Sequence, residues 1–364
     1  MREHIKKIYE AAVRVDGVNS VKRCLAESCH DLYELEKGCL STTSISTDGS
    51  FCYGCGTRDY PSHAVYVYMC KLCGNKYQTN RTIKASLPGN VALVIGARTK
   101  LGHQTVLKLL RAGCVVYGTT RKPVEAVEMY EKYSDKDEWI SRLKLRKLDL
   151  DISDIRESLA PILAEISEHH ASLDYLINIA AQTIRTRENV TEENRKDKNR
   201  YGDAKYADNL KQNSWQLCLH EVSQQEFEEV FRINSIAPAI IISDCIPLLK
   251  KSSKPYVINV HSREGLMRVK KSRHHIHLNM AKSALAMLTY NLKFAEYKTS
   301  QGKPFCIHGI DPGWISIDEY FEKELPWVVP PIDEIDGASK IVFPIFTNAA
   351  SCYYTTRHYD QIIN

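Results

Sequence analysis

From Val91 onward the chain alternates short apolar runs with stretches whose apolar residues recur every three or four positions. The runs at 91–95, 115–119, 145–150, 174–178, 256–260 and 305–310 have the length and β-branched content of buried strands. Between them, 101–111, 153–168, 226–249 and 280–296 carry helical periodicity. Strands separated by single helices imply right-handed crossovers, so residues 88–364 are expected to form an α/β domain of the Rossmann kind, a doubly wound parallel sheet. Upstream the texture differs. Ile5, Ile8, Ala12 and Val15 share a helical face, so 1–40 is expected to be a helical N-terminal segment. The small polar run STTSISTDGS reads as a linker into a cysteine-rich module, giving a second expected domain at 41–87. One charged stretch breaks the later rhythm. Residues 185–211 hold fourteen charges of both signs and are expected to be a solvated insertion, with a lid or docking loop as the sharper alternative.

With 364 residues, 43% hydrophobic and 26% charged, the chain can bury a large core and a small one, which excludes disorder, collagen and coiled coil for the whole. No run approaches the roughly 20 apolar residues of a membrane helix, and MREHIKKIYEAAVRV lacks the apolar core of a secretory signal. The expectation is therefore an intracellular, cytoplasmic protein with no membrane partner. A mitochondrial presequence is the rival, weakened by Glu3, Glu10 and Asp16.

Twelve cysteines could mean disulfides, metal or core thiols, and spacing decides. Cys52-x-x-Cys55 and Cys70-x-x-Cys73 match a four-thiolate zinc ribbon, because two residues between thiols let a tight turn aim both sulfurs at one ion. Four protein ligands leave no open position, so the expected zinc is structural. HAVYVYM, between the pairs, is expected to be a strand of the ribbon. Cys24, Cys29, His30 and Cys39 have no metal-site spacing.

The net charge of +5 is unevenly spread: residues 1–87 hold 12 basic and 9 acidic residues, and from Tyr60 to Val124 there are ten Lys or Arg and no acid. That acid-free run contains Gly96-Ala97-Arg98-Thr99-Lys100-Leu101-Gly102-His103, which follows the first strand and opens a helix. Such a turn presents backbone amides and a helix N-terminus to a pyrophosphate. Gly96, Arg98, Lys100 and Gly102 are the loop's candidate cofactor residues. After the second strand come Thr120, Arg121 and Lys122, where an acid would clasp a ribose 2′-hydroxyl; a base there favours a 2′-phosphate, hence NADP(H) over NAD(H). Lys71, Lys76, Arg81 and Lys84 raise the question of nucleic acid, but the nearby aromatics alternate like a strand instead of forming a stacking platform, so no such partner is expected.

These motifs together resemble the short-chain dehydrogenase/reductase superfamily over about three quarters of the chain, from Pro88 onward. Its glycine turn falls on Gly96 to His103, with Lys100 at the usual middle glycine and His103 at the last. The resemblance implies adenine contacts at Asp151 and Ile152 of DISD, and cofactor contacts at Asn178 and Ala180 of NIAA. It places the helix asparagine on Asn234 of FRINSIAPAI, the catalytic serine on Ser262 of VINVHSREG, and the nicotinamide turn on Pro312, Gly313 and Ile315 of DPGWIS. Lys282 of NMAKSALAML matches the family's lysine, which holds ribose and lowers the pKa of a tyrosine four residues before it. That position is Leu278. Ser262 and Lys282 are also further apart than usual.

The missing phenol removes a proton donor that contributes roughly 10²–10⁴-fold. Either a histidine or a water takes over, His261 and His277 being nearest in sequence, and the protein is an NAD(P)-dependent oxidoreductase on a carbonyl or alcohol, or the chain is a pseudoenzyme, a dinucleotide sensor or scaffold whose zinc ribbon docks a partner or nucleic acid. A divergent group of oxidoreductase-like proteins lacking the tyrosine is similar, and assigns no substrate. Long helices such as 226–249 and 280–296 pair in related folds, so a homodimer is expected by analogy.

Overall fold

The computed structural model describes residues 51–182, 217–267, 271–315, 330–355, 359 and 361–362. The expectations for 1–50 and for the insertion at 185–211 lie outside them. The chain divides into two compact units, Met1–Ile83 with Gly313–Ser339, and Lys84–Pro312 with Lys340–Asn364.

In the larger unit a single sheet runs in the order β3-β2-β1-β4-β5-β6-β7-β8. The expected strands are present as β1 (Val91–Ile95), β2 (Val115–Thr120), β3 (Leu143–Lys147), β4 (Tyr175–Asn178), β5 (Tyr256–Val260) and β6 (Cys306–Ile310). All of these pair in parallel, with Ile95 opposite both Thr119 and Asn178, and Asn178 opposite Asn259. The third strand ends earlier than expected because the Asp149 carboxylate accepts the amide of Asp151, folding the DLD run into a turn. Two strands were not foreseen: β7 (Cys352–Thr355), parallel to β6, and β8 (Gln361–Ile362), antiparallel to β7.

Period-two alternation sorts the strands' side chains to two faces. Val91, Leu93, Ile95, Leu176 and Val257 pack under the helices Ile155–His169 and Ala237–Leu249, whereas Ala92, Val94, Ile177 and Ile258 pack against the helix Lys100–Arg111. Here α1 is Lys71–Arg81, α2 Lys100–Arg111, α3 Pro123–Tyr130, α4 Ile155–His169, α5 Gln224–Phe231, α6 Ala237–Leu249, α7 Ile276–Phe294 and α8 Glu334–Phe346. Residues Arg232–Ile236, between α5 and α6, form a π turn inside one continuous helical run. That run is long and apolar enough to cross a bilayer by length and composition alone. Its apolar face is accounted for by the sheet: Ala237, Ile241, Ile242, Cys245, Leu248 and Leu249 are buried in the core.

In the smaller unit the HAVYVYM stretch is not a strand. The imidazole Nδ1 of His63 accepts the amides of Val65 and Tyr66, both at 3.1 Å, and this folds the segment into a turn. Among the described residues the ribbon's pairing is reduced to single bridges, Phe51 with Arg58 and Ser62 with Cys70. The second cysteine pair instead starts a helix, with Cys70 as N-cap of α1 and Cys73 in its first turn. Segment Gly313–Ser339, expected to belong with the sheet, groups with this module.

Candidate functional site

The glycine loop has the backbone that its sequence only partly announces. Gly102 is indispensable to it: a Cβ there would lie 1.7 Å from the carbonyl oxygen of Gly96. Lys100, where a glycine was the usual residue, keeps a left-handed backbone at φ 46°, a conformation costing a side-chain-bearing residue about 1–2 kcal/mol. The amides of Gly96 and Ala97 donate to the Thr119 carbonyl at 3.1 and 2.8 Å, fixing the loop to β2. The helix it opens, α2, has no side-chain cap and no acidic residue in its first turn, so its amide end favours an anion. His103, at the family's last glycine, is buried against Tyr130, 4.3 Å between ring centroids, and its Nε2 lies 3.1 Å from the Tyr133 hydroxyl. Burial lowers its pKa to about 4, so it packs as a neutral ring behind the loop.

Thr120 and Arg121 close β2 beside this loop, and the acid-free window ends one residue before a relevant carboxylate. Glu125, in the first turn of α3, pairs with Lys122 at 2.8 Å and Arg98 at 3.5 Å. The group Arg98, Arg121, Lys122 and Glu125 therefore retains a formal surplus of two positive charges. Asp151 is bonded to Arg232 at 2.9 Å, and Ile152 packs on the core beside it.

At the carboxyl ends of β4 and β5 a buried polar chain is assembled. Asn178 Nδ2 donates to Asn259 Oδ1 at 2.8 Å, Asn259 Nδ2 donates to Thr289 Oγ1 at 2.9 Å, and His261 Nε2 sits 2.7 Å from the same oxygen. Thr289 spends its only proton on the Leu285 carbonyl, so His261 must be the donor, which fixes its Nε2–H tautomer. Burial and the neighbouring Lys282 ammonium lower the His261 pKa to about 3. Ala180 follows Asn178 and donates its amide to the Ile95 carbonyl at 2.8 Å. Asn234 occupies the π turn, where its Nδ2 donates to the carbonyls of Gln182 and Val230, each at 2.9 Å.

Lys282 is buried on α7 with Nζ 3.4 Å from the Val260 carbonyl, two residues before Ser262. Desolvation brings its pKa down to about 8. Ser262 itself is half-buried at the end of β5. The longer connection between the two is drawn onto the helix by Arg263–Gly265, a 3₁₀ turn whose Gly265 carbonyl accepts from Ser283 Oγ at 2.8 Å. Pro312 ends this unit's contribution; Gly313 and Ile315 belong to the smaller unit.

Leu278 leaves no vacancy where a phenol would stand. It is 3% exposed and forms an apolar cluster with Val230, Ala281 and Phe231. Neither histidine proposed as a substitute donor is disposed to act as one. His261 is neutral and committed to Thr289, and His277 is fully buried, with Nε2 3.3 Å from Glu226 and its ring edge-on to Phe227 at 5.7 Å.

The residues fit a dinucleotide. An uncapped helix end follows the glycine loop, a surplus of positive charge follows β2, and the Oδ1 atoms of Asn178 and Asn234 are buried acceptors without a hydrogen-bond partner among the described residues. In the smaller unit the sulfurs of Cys52, Cys55, Cys70 and Cys73 all lie within 4.8 Å of one another, with Cys55 and Cys70 3.8 Å apart. A tetrahedron with metal–sulfur bonds of about 2.3 Å has an edge of about 3.8 Å, so the set fits one ion. The amides of Cys55 and Cys70 donate to Cys52 Sγ at 3.4 and 3.2 Å, bonds that favour a thiolate, while burial pushes the Cys52 thiol up overall. At Cys55, bonds from Thr57 bring the pKa down to about 6.

Comparison with known proteins agrees with this architecture. The short chain dehydrogenase family model matches residues 90–202. An uncharacterized protein of Acanthamoeba polyphaga mimivirus is 36% identical over 333 residues, covering 81% of this chain and 71% of the relative. Among solved structures, a short chain dehydrogenase from Shigella flexneri superposes with a TM-score of 0.56 at 15% identity, covering 76% of this chain and 94% of its own. A short chain dehydrogenase of Escherichia coli CFT073, complexed with NADPH, gives 0.52 at 16% identity over 71% of this chain and 90% of its own.

Proposed function

This chain belongs to the short-chain dehydrogenase/reductase superfamily, and from that premise we propose that it binds NADP(H) but lacks the family's proton-transfer step. The observation that carries this reading is the contrast between a built phosphate loop and a sealed tyrosine position. Gly102 and Lys100 hold a loop of the required shape, whereas Leu278 closes an apolar cluster with Val230, Ala281 and Phe231.

Gly96, Arg98, Lys100 and Gly102 would hold the pyrophosphate, with Thr120 and Arg121 at the adenosine 2′-phosphate and Asp151 and Ile152 at adenine. Asn178, Ala180 and Lys282 would meet the nicotinamide ribose, and Pro312, Gly313 and Ile315 the carboxamide. A bound nicotinamide would supply hydride exchange. For the chain's own part, Ser262 would position a substrate oxygen and Asn234 a water, but no phenol stands ready to move the proton. That the known neighbour binds NADPH supports the choice of cofactor. The four cysteines would hold a structural Zn²⁺.

A second reading rests on Lys282. A buried ammonium with a pKa near 8 can itself donate a proton at neutral pH, which would allow slow reduction of a carbonyl without tyrosine. The two readings share their first test, titration with NADPH and NADH followed by energy transfer from the protein's tryptophans. Saturable binding of NADPH, tighter than NADH, is expected; absence of any signal overturns both. Arg121→Ala should weaken NADPH about tenfold and NADH little, since one charge-assisted phosphate contact is worth about 1.5–3 kcal/mol before solvent screening. Equal losses would contradict the 2′-phosphate assignment.

A further inference from the structure

The smaller unit joins the cysteine centre to a segment more than two hundred residues later, and it does so at two separate points. The first is Tyr53, which lies between two of the ligands, Cys52 and Cys55, and whose hydroxyl accepts the Trp314 amide at 2.7 Å. Gly313 is closely covered there: at φ +89°, a Cβ on it would lie 2.9 Å from the Tyr53 hydroxyl and 2.6 Å from Ile332 Cδ1. The second point begins on α1, which carries Cys70 and Cys73 at its start and Arg81 at its end. Arg81 is buried and grips Asp333 with two bonds, 2.6 and 2.9 Å, and reaches Asp336 at 3.1 Å. Tyr66, from the turn between the cysteine pairs, donates to the same Asp336 carboxylate at 2.7 Å.

We propose that the metal-loaded cysteine centre is a latch that orders the described stretches 313–315 and 332–336, with Tyr53–Trp314 and Arg81/Tyr66–Asp333/Asp336 as its two catches. The latch rests on the metal reading of the four cysteines. Its physical basis is how little apolar core the described residues around the four cysteines supply. Among the described residues of 51–83, one eleven-residue helix and a set of turns enclose few buried apolar side chains besides Cys52, namely Tyr60, Tyr66, Met69 and Tyr77. A helix that short is marginal alone, and a four-thiolate ion supplies the folding free energy that such modules lack. The same ion fixes α1 by its first turn and Tyr53 by the adjoining one, so both catches depend on it. Asp333 is also tied to the start of α8, accepting the amides of Ile335 and Asp336 at 2.9 and 3.0 Å, which carries the order into that helix.

The test is hydrogen exchange by mass spectrometry on the full chain, before and after extraction of the metal with a mercurial and a chelator. Metal content and free thiols are measured on the same samples. Extraction should raise exchange at 313–315 and 333–336 by about tenfold or more, while β1 and β5 keep their protection. Tyr53→Phe, which spares all four ligands, should raise exchange at 313–315 with metal content unchanged. A metal-loaded chain whose segment is unmoved by extraction overturns the latch alone, as does equal loss of protection in β1 and β5. A chain that holds no metal on these thiols overturns the metal reading with it.

Discussion

Replacing Leu278 by tyrosine restores the family's missing phenol and asks whether the site is an intact pocket or a closed one. In the native chain Leu278 is 3% exposed, packed on Val230, Ala281 and Phe231. The larger ring must displace those neighbours, and overpacking of this kind costs about 1–3 kcal/mol. The phenol also brings a hydroxyl into an apolar cluster, a further penalty of about 1–3 kcal/mol if it finds no partner. The expected result is a loss of roughly 2–5 kcal/mol, read as a lower urea midpoint at unchanged slope. Carbonyl reduction with NADPH, assayed on an activated diketone, should stay at the protein-free rate, as for the parent. A gain of 10²–10⁴-fold, the usual worth of a general acid, with stability unaltered would refute the reasoning. It would mean that the cluster opens freely and that only the phenol was lacking.

Three other outcomes follow from the same geometry. Lys100→Gly relieves a left-handed backbone and should stabilise the fold by about 1 kcal/mol, checked by denaturation; a loss instead would mean that the lysine side chain makes a stabilising contact of its own. His103, His261 and His308 are buried with pKa values lowered to about 4, 3 and 3, so they stay neutral in the fold while the unfolded chain protonates below about 6.5. Their stabilisation is complete above that pH and lost as pH falls towards the folded values, at up to about 4 kcal/mol per pH unit for the three together. Stability that holds level between about pH 6 and 4.5 would contradict this, and His308→Phe, whose ring could keep the stack on Tyr256 while adding no titratable group, should reduce the slope by about one third.

The sheet was legible because its strands are short apolar runs and its helices have a stripe, both local signals. What escaped was non-local or locally ambiguous. Strands β7 and β8 lie on the far side of α8, beyond the stretch at 316–329, and are only four and two residues long. The cysteine spacing anticipated that four sulfurs would come together, because that geometry is written into two short loops, but the HAVYVYM alternation misled. There the His63 imidazole overrides strand propensity by accepting two consecutive amides. Nothing in local sequence announces that Arg81 will meet Asp333, 252 positions away. Glu125 lies one residue beyond the acid-free window from which the cofactor preference was argued, and it turns a run of unopposed bases into a partly compensated group. The departures from the family motif proved to differ in kind. Lys100 stands at the family's glycine yet keeps a left-handed backbone, so the loop's shape is retained; Leu278 stands at the family's tyrosine and is a packed hydrocarbon with no proton to give.

The central claim is binding without proton-coupled turnover, and one cuvette tests both halves. NADPH is titrated into the purified full chain with an activated diketone present, following energy transfer for binding and the absorbance of the reduced nicotinamide for consumption. Saturable energy transfer with no consumption beyond that in protein-free buffer is predicted. Either the absence of energy transfer or steady oxidation of NADPH by the protein would contradict the account.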